Sequence, residues 1–286
     1  MKPLAYWSLD SRRAIRGVFT DIDDTLTHHG HIAPEALQSL GDLKAAGFTV
    51  IPITGRPIGW CAPFMAATEG PAWPVDAMVA ENGAVAFVPE APTNTGIASQ
   101  IGLQPTSALR KALSKIYQQD TKTRASNRQR MAAIAAHVSA QLPGVELSRD
   151  SAGRETDLAF DYAEFAHHPP EKVQHVLALL QNHGMHTTVS SIHIHGCFGD
   201  FNKWTGACWI VRALLGRDLA AELDQWVFVG DSGNDQAMFE HFTHSVGVAN
   251  IARFVPQLTH LPTYVTAAPR GAGFAQVARA LLEAQR

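Results

Sequence analysis

Short runs of hydrophobic residues recur along the chain, and several of them stop abruptly at a polar residue or a glycine. Apolar runs of this kind are typical of parallel strands that are buried on both faces. Segments with helical periodicity lie between them, so the pattern predicts strands that alternate with helices. The predicted core strands are 15–19, 48–53, 77–80, 226–229, 245–248 and 263–265.

The predicted helices have plausible start and stop signals. Pro34 suits the first turn of a helix, and Gly47 is a residue that ends one. The predicted core helices are 34–46, 57–68, 203–215, a short helix after 233, and 272–283. Strict alternation with the strands predicts an α/β core, a doubly wound, Rossmann-like parallel sheet with right-handed crossovers.

The middle of the chain has a different texture. A loop rich in proline, threonine and asparagine covers 89–94, and helical stretches and strand-like runs follow it in an irregular order. The helices are predicted at 107–118, 127–141 and 171–183, and the strands at 156–162, 185–190 and 192–195. This mixture favours an inserted α+β domain. We therefore predict a core domain in two parts, 1–84 and 197–286, with the insert at 85–196 between them.

Composition excludes some classes of protein. The 286 residues carry a formal net charge of -3, with 46% hydrophobic and 17% charged residues, as expected of a globular enzyme. This charge gives no sign of a nucleic-acid partner. No apolar stretch approaches the ~20 residues that cross a bilayer, and the N-terminus lacks the apolar segment of a signal peptide. Three widely spaced cysteines fit a reducing compartment, so we predict a cytoplasmic protein.

Polar residues follow three of the predicted strands and start one of the predicted helices. They form four stretches, 21–25, 53–56, Lys203 and 230–235. Ligands of open α/β sheets bind at the carboxyl ends of the strands, so these stretches should converge on one crevice. Each stretch alone is common in turns or helix caps, but their joint occurrence in this order favours a functional site.

The acidic residues suit phosphoryl transfer. Asp21 and Asp23 are two residues apart at a strand end, which supplies a nucleophile and a separate acid/base for a covalent aspartyl-phosphate route. Asp231 and Asp235 add negative charge that a bound cation would neutralise. Ligation by oxygen alone around a phosphate indicates Mg²⁺ as the cofactor.

The remaining residues can bind the phosphoryl group. Thr54 and the backbone N–H of Gly55, at the start of a helix, can hold phosphoryl oxygens. Lys203 supplies a positive charge to the nucleophile and to the transferring group. Together with the carboxylates, these groups predict an enzyme that transfers a phosphoryl group.

The order and identity of these residues resemble the phosphatase branch of the haloacid dehalogenase (HAD) superfamily. The insert is similar in length and position to the α+β cap of the type IIB subgroup, which includes sucrose-phosphate phosphatases and Cof-type phosphatases. The stretch 81–84 is similar to the turn that leads into such caps. Asp24 stands where glycine is more usual, and Asp tolerates left-handed turns. The lysine stretch, 201–204, lacks the glycine that often follows the lysine.

The resemblance implies roles for individual residues. The implied catalytic residues are Asp21 as nucleophile, Asp23 as acid/base, Thr54 as phosphate binder and Lys203 as charge stabiliser. The implied metal ligands are Asp21, Asp23 through its carbonyl, Asp231 and Asp235, supported by Ser232 and Asn234. Further predicted substrate or phosphate contacts are Gly55, Arg56, Asn82 and Asn234, with Arg128, Arg154 and His195 as candidates in the cap. The loop of residues 28–31, rich in histidine, should border the site.

These expectations describe a Mg²⁺-dependent phosphatase of a small phosphorylated metabolite, a sugar phosphate by preference. A phosphosugar mutase would use the same residues and return the phosphoryl group to a sugar. A non-catalytic phosphoacceptor receiver also has an acidic metal site, a threonine and a lysine, but it needs neither Asp23 nor a large insert. The identity of the substrate and the oligomeric state stay open.

Overall fold

A parallel sheet of six strands forms the centre of the computed structural model, which describes residues 1–66, 71–89 and 113–286. The sheet has the order β1-β14-β13-β12-β2-β5, and all five pairings are parallel. These strands are β1 (Lys2–Pro3), β14 (Tyr264–Val265), β13 (His244–Gly247), β12 (Trp226–Gly230), β2 (Gly17–Thr20) and β5 (Thr49–Pro52). The predicted α/β class is confirmed.

A second sheet continues this one beyond β5. Its strands are β6 (Met78–Ala80), β7 (Val85–Pro89) and β8 (Leu113–Tyr117), paired antiparallel. A parallel bridge between Ile53 and Val79 joins β6 to the end of β5. The helix predicted at 107–118 is wrong over its described part, because residues 113–117 pair with β7 as a strand. Its first part, and the loop predicted at 89–94 beyond Pro89, lie outside the described residues.

Helices cover both faces of the central sheet. Alternate residues of each strand contribute to the two cores, since Val18 and Val227 face one side whereas Phe19 and Phe228 face the other. The first face packs against α2 (Pro34–Ala45) and α8 (Arg270–Ala284), and the second against α6 (Lys203–Leu215) and α7 (Gln236–His241). The remaining core helices are α1 (Leu9–Ala14) and α3 (Ile58–Ala66). This arrangement is the doubly wound fold that the sequence predicts.

The inserted residues build a sheet and core of their own. Three antiparallel strands have the order β10-β11-β9, and two helices pack on them around Val138, Phe160 and Val176. The strands are β9 (Asp157–Asp161), β10 (His186–Val189) and β11 (His193–Cys197), and the helices are α4 (Thr121–Gln141) and α5 (Pro170–Asn182). Helix α4 begins earlier than predicted because Asp120 caps it by accepting a hydrogen bond from Thr123 N. We call residues 120–197 the cap.

Two glycines let α6, the helix that begins at Lys203, pack directly on the turn Glu81–Gly83, which precedes β7. Gly83 has φ of 112°, and a Cβ added to it would lie 2.8 Å from the Cα of Gly206 in α6. A Cβ added to Gly206 would lie 2.4 Å from the Cα of Gly83. A side chain at either position would therefore separate the helix from the turn.

The same turn also contacts the cap. The buried carboxylate of Glu81 accepts hydrogen bonds from the backbone N–H groups of Ile58 (3.1 Å), Glu155 (3.0 Å) and Thr156 (2.6 Å). Burial raises the pKa of Glu81 to about 7. The domain limits at residues 84 and 196 stay a prediction. Within the described ranges, no helix combines the length and the apolar character needed to cross a membrane.

A short hairpin lies between β2 and α2. Its strands are β3 (Thr27–His28) and β4 (His31–Ile32), joined through His29 and Gly30, which both have positive φ. The sequence pattern did not predict this hairpin. It lies directly after the acidic stretch that begins at Asp21, so it borders the carboxyl edge of the sheet.

Candidate active site

Three buried aspartates meet at the carboxyl edge of the central sheet. Asp21 follows β2, and Asp231 and Asp235 follow the neighbouring strand β12. One carboxylate oxygen from each lies within 4.8 Å of the others. The backbone N–H of Asp21 donates to Val229 O at 2.8 Å, which fixes the two strand ends side by side. The convergence that the sequence predicts for these residues is present in the structure.

Lys203 lies between two of these carboxylates. Its Nζ donates to Asp21 and, at 2.6 Å, to Oδ1 of Asp235. The lysine is the first residue of α6, whose start is fixed by a capping box between Asn202 and Thr205. Although burial lowers the pKa of Lys203, Asp21 and Asp235 hold that pKa above its usual value. The side chain therefore stays charged inside the protein.

Asp235 has no free carboxylate oxygen. Its Oδ2 accepts from the backbone N–H groups of Asp231 (2.8 Å) and Ser232 (2.9 Å), and its Oδ1 accepts from Lys203. Hydrogen bonds of this kind hold a carboxylate in one orientation. Asp235 thus fixes the loop that carries Asp231 and the position of the lysine.

Asp231 has one oxygen in use and one oxygen free. Its Oδ2 accepts from Asn250 at 2.8 Å, whereas its buried Oδ1 has no hydrogen-bond partner in the described part of the chain. A buried unpaired carboxylate oxygen is costly, and it indicates a missing positive ligand. Together with Asp21 it offers the oxygen ligands that Mg²⁺ prefers, so the residues present fit that ion.

The proton affinities of these aspartates support this interpretation. Burial raises the pKa of Asp21 to about 7, because the stabilising charge of Lys203 is outweighed by burial together with Asp235. Burial, with the charges of Asp21 and Asp235, also raises the pKa of Asp231 well above its usual value. The three carboxylates face Lys203 and, at 3.5 Å from Asp231, the exposed Arg253, so when ionised they carry an excess of negative charge that a divalent cation would offset.

The predicted phosphate contacts lie beside Asp21. Thr54 follows the end of β5, and its Oγ1 accepts from the backbone N–H of Arg56 at 3.0 Å. Asn234 donates to Asn82 at 2.9 Å, and Ser232 donates to Asn234 at 3.0 Å. Except for Asn82, which lies behind Asn234, these residues line one small pocket. Its lining is Asp21, Asp23, Thr54, Gly55, Arg56, Ser232 and Asn234 from the core and Ser190, Ser191, Ile192, His193 and His195 from the cap.

Arg56 contacts carboxylates from the core and from the cap. Its Nε and Nη2 donate to the two oxygens of Asp23 at 2.9 and 3.0 Å. It also donates from Nη1 to Asp150 at 3.0 Å and from Nη2 to Glu164 at 2.8 Å. The phosphate contact predicted for Arg56 stays a prediction, and these bonds give the arginine a direct link to the predicted acid/base.

The structure separates the three cap candidates. His195 lines the small pocket, and its ring would lie 3.0 Å from a Cβ added to Gly55. Arg154 donates to Gly55 O at 3.0 Å and to Asp157 at 2.9 Å, so it joins cap to core without lining that pocket. Arg128 is exposed on α4 and lines a different cavity of about 510 Å³ in the cap.

A further cavity, distinct from the small pocket and from the cavity in the cap, adjoins Asp23. It has a volume of about 280 Å³ and lies between the β3–β4 hairpin and the cap. Its polar lining residues are Asp23, Asp24, Thr27, His29, Arg56, Glu164, His167 and Arg270. The sequence predicted Asp23, Arg56 and the histidine loop at this position, but it gave no signal for Glu164, His167 or Arg270.

Asp24 is held by residues that sequence reasoning missed. It has φ of 57°, consistent with the expected left-handed turn. Its carboxylate accepts from Arg253 at 2.7 Å and Arg270 at 2.8 Å, and Asn250 donates to its backbone oxygen at 3.0 Å. Although burial raises it, these arginines hold the pKa of Asp24 below its usual value. Since the partners lie more than 200 residues away, no local signal marks them.

Family models and solved structures agree with this geometry. The model described as haloacid dehalogenase-like hydrolase matches residues 18–141, and the model described as sucrose-6F-phosphate phosphohydrolase matches residues 103–276. The fold and the site thus define a phosphatase with a haloacid dehalogenase-like core and an inserted cap. The chain belongs to the sucrose-6F-phosphate phosphohydrolase family.

Several solved structures have the same fold at low sequence identity. The sucrose-phosphatase from Synechocystis sp. PCC6803, in complex with sucrose and phosphate, is 14% identical with a TM-score of 0.62, over 93% of this chain and 97% of that one. The C-terminal domain of C. albicans trehalose-6-phosphate phosphatase is 11% identical with a TM-score of 0.61, over 96% of each chain. A HAD subclass IIB sugar phosphatase is 18% identical with a TM-score of 0.56, over 92% of this chain and 98% of that one. No curated protein sequence matches the chain directly.

Proposed function

We propose that this phosphatase is Mg²⁺-dependent and hydrolyses a sugar phosphate through a phosphorylated Asp21. The observation that carries the proposal is the proximity of Asp21 to a buried Asp231 oxygen that has no hydrogen-bond partner among the described residues. This arrangement offers a nucleophile and a cation site within a few ångströms of each other. Mg²⁺ bound there would draw phosphoryl oxygens towards the nucleophile and offset their charge.

The chain's own residues would carry two steps. In the first, an oxygen of Asp21 forms a bond to phosphorus, the ester P–O bond breaks, and the departing alcohol takes a proton from Asp23. In the second, Asp23 takes a proton from a water that attacks phosphorus, which releases inorganic phosphate and restores Asp21. Thr54 and the Gly55 N–H would hold phosphoryl oxygens, and Lys203 would balance the charge of Asp21.

The cavity beside Asp23 would receive the alcohol. Its lining combines acceptors, such as Asp24 and Glu164, with donors, such as Arg270. A sugar hydroxyl both donates and accepts a hydrogen bond, so a polyhydroxylated alcohol would satisfy both kinds of group. The family to which the chain belongs, and the sucrose and trehalose phosphate phosphatases that share its fold, support a sugar phosphate as substrate.

The cap would act as the lid of the site. It closes the phosphoryl pocket through residues 190–195, so substrate has to enter while the cap is displaced. A lid of this kind can exclude water from the first step and admit one molecule for the second. We place the protein in the cytoplasm, a proposal supported by its free cysteines, Cys61, Cys197 and Cys208.

A phosphate-release screen over phosphorylated sugars with Mg²⁺ tests the proposal. We expect turnover of a sugar phosphate, such as sucrose 6-phosphate or trehalose 6-phosphate, without any activator. Conversion to an isomeric sugar phosphate without phosphate release would instead indicate a mutase. A phosphorylated Asp21 that persists for minutes would indicate a receiver. No phosphate release from any member of the panel would contradict the proposed reaction.

A further inference from the structure

One guanidinium connects the predicted acid/base to the cap. Arg56 is buried, and its hydrogen-bonding partners are Asp23 from the core and two carboxylates from the cap, Asp150 and Glu164. Asp150 lies just before β9, and Glu164 lies just after it. The arginine is therefore shared between the chemical centre and the lid.

The geometry uses the full donor capacity of the arginine. A guanidinium has five N–H donors. Asp23 takes one from Nε and one from Nη2, Asp150 takes one from Nη1, and Glu164 takes the others, at 2.8 Å from Nη2 and 3.4 Å from Nη1. Each oxygen of Asp23 thus accepts one hydrogen bond from Arg56, so turning this carboxylate towards a substrate would break at least one of the two bonds.

The two cap carboxylates are themselves held in place. His193 contacts Glu164 at 2.9 Å, and Ser148 donates to Asp150 at 2.7 Å. Although partial burial raises it, hydrogen bonds from His193 and Arg56 lower the pKa of Glu164 to about 2. The cap therefore presents two ionised and oriented acceptors to Arg56 when it is docked on the core.

A substrate changes what Asp23 has to contact. In the proposed reaction, one Asp23 oxygen must reach the oxygen of the departing alcohol, so one of its bonds to Arg56 has to break. A buried arginine that loses a partner is costly unless another acceptor takes over. Glu164 and Asp150 are positioned to be that acceptor.

We propose that Glu164 and Asp150 are positioning residues, which hold Arg56 and thereby let Asp23 turn towards the leaving group only while the cap is docked. The inference rests on the proposed function, because it assumes that Asp23 donates the proton. The cap would then contribute to the chemical step as well as to recognition of the alcohol.

The experiment compares phenyl phosphate with p-nitrophenyl phosphate, which have similar shapes but leaving groups of different basicity. A poor leaving group depends on the proton from Asp23, whereas p-nitrophenolate departs without it. We measure kcat/KM because it reports phosphoryl transfer to Asp21 when later hydrolysis limits kcat. The test variant is Glu164→Gln and the control is Glu155→Gln. Glu155 is a cap carboxylate that pairs with Lys115 and does not line the cavity beside Asp23.

In Glu164→Gln we expect kcat/KM to fall at least about tenfold for phenyl phosphate and less than about threefold for p-nitrophenyl phosphate, as befits loss of part of a general-acid contribution. Glu155→Gln should change neither value by more than about twofold. Asp150→Asn should show the same selectivity with a smaller amplitude. An equal loss for both esters in Glu164→Gln and Asp150→Asn would overturn the inference, because a role in cap docking alone does not depend on the leaving group.

A double-variant cycle tests whether the effect passes through Arg56. Arg56→Lys keeps the charge but cannot bind three carboxylates, so adding Glu164→Gln to it should change the ratio between the two esters by less than about twofold. If Glu164→Gln changed the ratio of kcat/KM between the two esters as much in Arg56→Lys as in the wild-type protein, the inference would be overturned. Failure of the proposed function looks different, since the wild-type protein would then release phosphate neither from these esters nor from any sugar phosphate of the panel.

Discussion

Two clusters of buried charge lie a short distance apart, and they are balanced in opposite ways. At the carboxyl edge of the sheet, Asp21, Asp231 and Asp235 face one buried lysine and the exposed Arg253, and one Asp231 oxygen has no partner among the described residues. Between core and cap, the carboxylates of Asp150, Asp157 and Glu164 are matched by arginines.

The pKa values express this difference. Burial raises the pKa of Asp21 to about 7, whereas His193 and Arg56 bring that of Glu164 down to about 2 despite its partial burial. In the second cluster Asp157 is the exception, since its deeper burial outweighs Arg154 and raises its pKa to about 6. Unfinished charge balance indicates where a ligand is needed, and complete pairing indicates a joint between parts of the protein. We therefore expect changes in the first cluster to affect the reaction, and loss of an arginine from the second cluster to affect the stability of the folded protein.

Removing the nucleophile is the strongest test of the first cluster. We expect Asp21→Asn to lower kcat by ~10³-fold or more without unfolding the protein, because an amide cannot form the acyl-phosphate. Phosphate release and thermal unfolding check both parts. Near-normal turnover in deamidation-free protein would show that Asp21 is not the nucleophile.

Metal removal should abolish turnover reversibly. EDTA leaves the carboxylates of Asp21 and Asp231 without the ion that offsets their charge, and added Mg²⁺ should restore activity. Mg²⁺ should also raise the unfolding temperature of the wild-type protein, because it binds the folded state. Asp231→Asn should lose this shift, and the surface variant Asp10→Asn should keep it. Full activity in metal-free protein would contradict the assignment.

Breaking the second cluster should affect stability. Arg154 is buried and bonds to Asp157, Asp150 and the backbone of Gly55. Arg154→Ala would leave buried carboxylates unpaired, so we expect a loss of about 3–5 kcal/mol in the free energy of unfolding, measured with urea. The exposed Arg128→Ala should stay within about 0.5 kcal/mol of wild type. Equal effects of the two variants would contradict the structural role of Arg154.

The affinity for Mg²⁺ should depend on pH near neutrality. Since the pKa of Asp21 is raised to about 7, a proton occupies this carboxyl at lower pH and competes with the ion. The apparent Kd should therefore decrease as pH rises from 5.5 to 7.5, by up to about tenfold per unit from Asp21 alone, and the raised pKa of Asp231 should add to this dependence. Calorimetric titrations at several pH values measure it. A constant Kd from pH 5.5 to 7.5 would be inconsistent with a protonated Asp21.

The smallest effect on activity should come from a change in the wall of the cavity beside Asp23, which we propose receives the alcohol. His167 lines it from the cap, whereas the exposed His175 on α5 does not. We expect His167→Ala to change the ratio of kcat/KM between two sugar phosphates by up to about tenfold, and His175→Ala to leave the ratio unchanged. An identical ranking and ratio in both variants would exclude His167 from substrate selection.

The sequence predicts the first cluster far better than the second. Asp21, Thr54 and Asp231 follow apolar strands directly, so a local pattern places them at one edge of a parallel sheet. Arg56 meets Asp150 and Glu164 from 94 and 108 residues away, and nothing in the local sequence records that meeting.

The error at 107–118 has a similar cause. Residues 113–117 allow either a helix or a strand, and the partner that decides is β7, with which Lys115 and Ile116 pair. Strand formation depends on such tertiary contacts more than helix formation does. The start of α4 at Thr121 was missed for a local reason. The first turn of this helix, which follows the N-cap residue Asp120, is polar and lacks the apolar residues that reveal helical periodicity.

The close contact between Gly83 and Gly206 limits where the cap of this protein can be exchanged for the cap of another enzyme. The turn holding Gly83 leads towards the cap, and the helix holding Gly206 carries Lys203 at its first residue. A chimaera that keeps Gly83, rejoins the chain before Asn202 and keeps Gly206 should hold Lys203 in place against Asp21, whichever lid it carries. A junction that replaced either glycine would displace α6 even if the new lid folded. Gly83 and the start of α6 therefore mark the outer limits within which this protein can accept a foreign lid.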